Sequence, residues 1–155
     1  MDTKPNSTDA STAPLPTLLR RALHWQPPGL GKRERTRLHL LRATLQVFFA
    51  RGVAGATIQE IAATAAMTPA TVYNHFATKD AVVAAVAAWL ADAVCGRIAE
   101  SQAAIDEGAE RMAIGQRRYI GIAEQSPAWA RVFLDVAQAA PEPLAAEVAR
   151  YAGAD

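Results

Sequence analysis

Residues 57–79 read TIQEIAATAAMTPATVYNHFATK, two short helices joined by a tight turn. Thr57 and Glu60 have the T-x-x-E spacing of a capping box, in which side chain and backbone satisfy each other's free donors at a helix start. Ile58, Ile61, Ala62 and Ala65 recur at helical spacing and give the first helix one apolar face. Thr68 followed by Pro69 predicts a second N-cap, because proline at the first helical position gives up an N–H that has no partner there anyway. Val72 and Phe76 lie four apart and face inward, which leaves Thr71, Tyr73 and Asn74 outward. A solvated helix face normally carries Lys and Glu; Tyr and Asn with His75 beside them suit phosphates and base edges. Thr78 is placed to cap a further helix, with Lys79 and Asp80 in its first turn.

The surroundings extend the same reading. The basic run Lys32, Arg33, Arg35, Arg37 lies upstream, and a helix-turn-helix beside a basic arm suits duplex DNA. Leu38, Leu41, Leu45, Phe48 and Phe49 form the buried stripe of a helix from about Lys32 to Arg51, with Gly52 as its terminating glycine.

The segment from about Arg37 to Val86 resembles the DNA-binding domain of the tetracycline-repressor-like (TetR-like) bacterial regulators. The resemblance rests on RATLQVFFARGVAGATIQEIAATAAMTPATVYNHFATKDAVV, above all on TVYNHF with Lys79 three residues after Phe76. It implies that Thr57, Tyr73, His75 and Lys79 hold phosphates. It also implies that Thr68, Pro69, Ala70, Thr71 and Asn74 meet the major groove, with Thr71 and Asn74 alone able to hydrogen-bond a base edge. Where the family's turn usually carries glycine, this chain has Ala66, so a strained turn is expected there.

The chain is 155 residues long with a net charge of +1. That small value conceals a split. Residues 15–79 carry nine basic and two acidic side chains, whereas residues 80–155 carry six basic and eleven acidic ones. The division falls at the motif's end and points to one half that meets nucleic acid and one that avoids it. Cys95 is the single cysteine, which excludes an internal disulfide and suits a cytoplasmic protein. Neither a metal-ligand spacing nor a membrane-spanning apolar run is present, so no metal, cofactor or membrane partner is expected.

No strand-like alternation persists. The expected fold is all-α: a three-helix helix-turn-helix DNA-binding domain followed by a short helical C-terminal domain. Residues 1–30 read as a disordered or weakly ordered tail with one short helical turn around Leu18, Leu19 and Trp25 that Pro27, Pro28 and Gly29 end, 31–79 as the DNA-binding domain, and 80–155 as an incomplete helical region for ligand binding and dimerisation. Within that region one helix is expected from Lys79 toward Glu100 and another over Ala103–Ile122. Trp129, Val132, Phe133 and Val136 mark a third, which Pro141 ends; Pro143 opens a fourth carrying Leu144, Val148 and Tyr151.

The function implied is a sequence-specific transcriptional regulator, a repressor released by a small ligand and acting as a homodimer on a double-stranded DNA operator. Met112, Tyr119, Trp129 and Phe133 are the candidate lining of an apolar ligand pocket, although such a stripe is more often core. The family's members are longer, with two final helices that form the dimer's four-helix bundle. Without those helices, Trp129, Phe133, Leu144 and Val148 are expected to be partly uncovered or repacked and the dimer is in doubt. The alternative is a truncated helical protein-interaction module that binds DNA weakly and without sequence preference. An enzyme is not expected: Cys95 has no nearby His, and Asp106, Glu107 and Glu110 read as a solvated face partnered by Arg111 and Arg117.

Overall fold

Eight helices account for the regular structure of the computed structural model, which describes residues 17–100, 102 and 104–152. In order they are α1 (Thr17–His24), α2 (Lys32–Gly55), α3 (Ile58–Thr64), α4 (Pro69–His75), α5 (Lys79–Glu100), α6 (Gly108–Gln125), α7 (Pro127–Ala139) and α8 (Pro141–Ala152). The described part is all-α, and none of its helices is long and apolar enough to cross a membrane.

The local signals act where the sequence places them. Thr57 completes a capping box with Glu60, Thr68 accepts from the Thr71 N–H, and Thr78 accepts from the Ala81 N–H at 3.1 Å. Each cap satisfies a donor that the helix itself leaves free, typically worth ~1 kcal/mol. Gly52 has φ 73 and ψ 167, a conformation that belongs almost solely to glycine, and it breaks the helical path inside α2. The chain therefore turns at the expected residue, but helical structure resumes briefly beyond it, to Gly55.

Ala66 is the one positive-φ residue other than glycine among those described, with φ 54. Its N–H donates to Ala63 O at 3.1 Å, and the Met67 N–H donates to Ala62 O at 2.9 Å. This pair of bonds is a Schellman motif, which requires the left-handed residue where Ala66 stands. His39 on α2 adds a third bond: its Nε2 donates to Ala65 O at 2.9 Å.

Leu40, Thr44 and Phe48 of α2, Ile61 of α3, Val72 of α4 and Val82, Val86 and Leu90 of α5 are almost completely buried in one core. That core continues into Trp129, Val132, Phe133 and Val136 of α7 and Leu23 of α1. Its continuity couples the helix-turn-helix to the C-terminal helices, because α5 and α7 both pack on α2.

Several expectations are corrected. The short helical turn expected in the tail is a packed helix of two turns: residues 17–24 form α1, which packs on α5 and buries Leu23, while Trp25 lies beyond its end and is exposed. The helix expected over 103–122 begins instead at Gly108, after a turn in which the Ile105 N–H donates to Gln102 O, and it runs to Gln125, just before Ser126-Pro127. Pro141 opens α8 rather than merely ending α7, since a proline's missing N–H costs nothing at a helix start. Trp129 and Phe133 are buried and stacked, with ring centroids 5.2 Å apart, rather than uncovered. Leu144 is half-buried against the same core. Residues 1–14 and the side chains of Val148 and Tyr151 lie outside what is described.

Candidate nucleic-acid interface

The outward face of α4 is held by its inward face. Val72 is fully buried and Phe76 nearly so, and this anchors a helix of only seven residues. Opposite them, Tyr73 is half exposed and Pro69, Ala70 and Asn74 are exposed, while Thr71 is partly covered. Asn74 is exposed, and among the described residues no hydrogen bond engages its side chain, so its amide is free to pair. Thr68 and Thr71 are different. Their hydroxyls lie 3.0 Å apart, and Thr68 Oγ1 also accepts from the Thr71 N–H. One hydroxyl proton is shared between them, so the pair presents less donor capacity than two free threonines.

Two other expected contact residues are already engaged. The Thr57 hydroxyl donates to Glu60 Oε2 at 3.1 Å and accepts from the Glu60 N–H. Glu60 is in turn paired with Arg51 at 3.1 Å. Lys79 Nζ donates to Ala54 O at 3.0 Å, tying the start of α5 to the end of α2. For either group to meet an anion, that bond must be shared or broken. Lys79 has three ammonium donors and can share; Thr57 has one proton and must redirect it.

The C-terminal end of α4 gathers groups that were not counted among the site residues. Arg33 Nη2 donates to Asn74 O at 3.3 Å, and the Arg37 guanidinium carbon lies 4.5 Å from the centre of the Phe76 ring. A cation at helix-terminal carbonyls is favoured by the helix dipole, and a guanidinium over an aromatic face by the ring's quadrupole. His75 lies in the same place. Partial burial lowers its pKa from the usual 6.5, and the charges of Arg33 and Arg37 lower it further. The basic run was legible in the sequence. Which of its members reach the outward helix depends on how α3, packed on both, sets α4 beside the start of α2.

Residues 40–86 match the family described as bacterial regulatory proteins, tetR family. That segment is TetR-like. The matched stretch holds α3, α4 and most of α2, that is, the helices just described. A curated relative of this TetR-like segment is the HTH-type transcriptional regulator TcmR of Streptomyces glaucescens, 40% identical over 57 residues. That match takes in 36% of this chain and 25% of TcmR, so the chain spans about a quarter of that relative's length. A solved structure from Mesorhizobium loti MAFF303099, described as a candidate TetR-family transcriptional regulator, is 20% identical with a TM-score of 0.48. The comparison covers 79% of this chain and 68% of that one.

The candidate ligand residues do not form one lining. Tyr119, Trp129 and Phe133 pack as an aromatic cluster, with Tyr119 6.2 Å from Trp129 and 5.6 Å from Phe133 between ring centroids. Burial pushes the Tyr119 hydroxyl above its usual pKa. Met112 does not join them: it is 58% exposed, on a helix with no buried residue. The reason is that α6 lies against α7 through one end, near Tyr119 and Ile122, while its first turns stand in solvent. Arg111 and Arg117 do not pair with the acidic side chains near them. Arg117 Nε donates to Ala113 O, and Arg111 Nε is buried without a partner. Among the described residues no group of three His, Cys, Asp or Glu side chains is placed to hold a metal ion.

Proposed function

We propose that this chain is a sequence-specific DNA-binding transcriptional regulator, with α4 as the helix that enters the major groove. The observation that carries the reading is the outward presentation of Tyr73, Asn74 and Ala70 on a short helix pinned from behind by Val72 and Phe76. A rigid helix with a free amide and small neighbours can approach base edges closely, and an Asn amide pairs bidentately with adenine. The tetR-family match over 40–86 supports the same role.

The regulator is proposed to be a repressor that pairs with a second copy on a two-fold symmetric operator and is released by a small ligand. Support for the coupling comes from α5. It begins at Lys79 beside α4 and packs along α1, α7 and α8, so a shift of α5 moves the head. A ligand that favours one position of α5 then changes operator affinity by its differential binding to the two positions.

Selection of bound sequences from random duplex DNA tests the reading. A recovered motif, with half-sites separated by about one helical turn, is the expected result. Recovery of no motif, with weak salt-sensitive binding to all duplexes alike, would leave a non-specific DNA binder instead.

A further inference from the structure

At the end of α4, His75 of the helix-turn-helix is joined by two arginines from outside the motif. Arg33 and Arg37 stand one turn apart on α2 and both reach α4: one through Asn74 O, the other over Phe76. His75 completes the group from α4 itself. Among the described residues neither guanidinium has a carboxylate partner. Glu34, the acidic residue within the basic run, has its carboxylate against Gly31 and pairs with neither. Arg35 is turned the other way, donating to Leu30 O. Two exposed guanidiniums are therefore held next to each other, fixed by contacts that use one N–H of Arg33 and only the face of Arg37. An Arg presents five donors in a fixed fork, so most of them remain to take an anion.

We infer that Arg33, Arg37 and His75 form a phosphodiester-binding site at the α2–α4 junction, which grips the DNA backbone beside the groove occupied by α4. This rests on the DNA-binding reading above and assigns that reading an additional contact. Phosphate is the ligand of choice because its oxygens accept from forked donors in pairs, and because among the described residues no carboxylate pairs with the cluster. The contacts to Asn74 O and Phe76 give the site a second consequence. The same side chains that hold the backbone also brace the recognition helix, so the phosphate fixes the helix's register on the duplex.

The test is duplex affinity against salt concentration for the wild-type chain, Arg33→Ala, Arg37→Leu and the charge control Arg131→Ala. Arg131 is exposed on α7, outside the helix-turn-helix. Leucine at position 37 keeps an apolar cover on Phe76 while removing the charge. Each of the two head variants is expected to lower the log–log salt slope by about 0.9, the value for one phosphate contact, on every sequence alike, with the control unchanged. Slopes equal to wild type in both folded variants overturn the site. Should a variant not fold, the Arg Nε–H resonances of the wild-type chain decide: those of Arg33 and Arg37 are expected to shift on adding duplex and that of Arg131 to stay, and unshifted Arg33 and Arg37 signals overturn the site. A wild-type chain with no duplex affinity at all overturns the DNA-binding reading, and this inference with it.

Discussion

Asn74 is the residue whose chemistry most directly bears on sequence choice. Its backbone carbonyl is held by Arg33, and its side-chain amide is free at the surface. Asn74→Ala should relax preference at one base pair by ~1–3 kcal/mol and leave the fold intact, since an exposed amide contributes little to stability. Comparing motifs selected by the two proteins checks this; an unchanged motif would make Asn74 a solvent or backbone residue. His75 makes a prediction about pH. Burial, then Arg33 and Arg37, depress its pKa below 6.5, so the folded head favours the neutral ring. Protonation is therefore easier in the unfolded chain. The stability this group leaves intact above pH ~6.5 declines as pH falls toward the lowered folded value. Thermal melts between about pH 5 and 7 should show that decline, and His75→Gln should flatten it. A bound phosphate beside the ring would counter the two arginines and raise the pKa, so DNA binding should take up protons over the same range.

At the scale of the element, the turn between α3 and α4 is the informative one. Three bonds fix it: two from the Schellman motif and one from His39 to Ala65 O. The geometry they impose places an alanine at φ 54, where its Cβ crowds the backbone. Ala66→Gly should relieve that strain and stabilise the head by ~1 kcal/mol, with no loss of DNA affinity. A melting temperature that falls would show that the greater freedom of glycine in the unfolded chain outweighs the relief. The anchor of α4 behaves oppositely. Phe76 is nearly fully buried and also carries Arg37 on its face. Phe76→Ala should cost about 3–5 kcal/mol, enough to unfold a small head, and denaturant unfolding measures it.

Across the whole molecule, the packing of α1 is what a short helical turn in a loose tail does not foretell. Arg42 of α2 reaches it with two bonds, Nε to Leu23 O at 2.9 Å and Nη2 to Trp25 O at 3.4 Å. Those carbonyls end α1, so the arginine acts as its C-terminal cap while Leu23 enters the core against α5. Partial burial lowers the Arg42 pKa, which is consistent with a guanidinium drawn in from solvent. Leu23→Ala should then destabilise the folded chain by about 2–5 kcal/mol, a cost that an unstructured tail would never show. A midpoint of unfolding equal to wild type would return α1 to the status of a loosely attached segment.

What the sequence determined alone was local. The caps at Thr57, Thr68 and Thr78, the proline at the start of α4, the break at Gly52 and the odd residue at Ala66 all follow from neighbours within five positions. Their hydrogen bonds and φ preferences need nothing distant. The inward spacing of Val72 and Phe76, and of Trp129, Val132, Phe133 and Val136, was legible for the same reason: helical period fixes which residues share a face. Tertiary structure decided the rest, because it depends on which faces meet. Residues 17–24 are too short to be a stable helix in isolation, and α1 exists through Leu23 and Arg42. Trp129 and Phe133 find partners in Tyr119 and in the core that α2, α5 and α7 share, which no count of helices along the chain could supply. Only the way α3 joins α2 to α4 selects Arg33 and Arg37 from the basic run and sets them beside the end of α4 and His75, 38 or more positions away in sequence. A run of like charges shows that a surface is basic; packing shows which of those charges stand together.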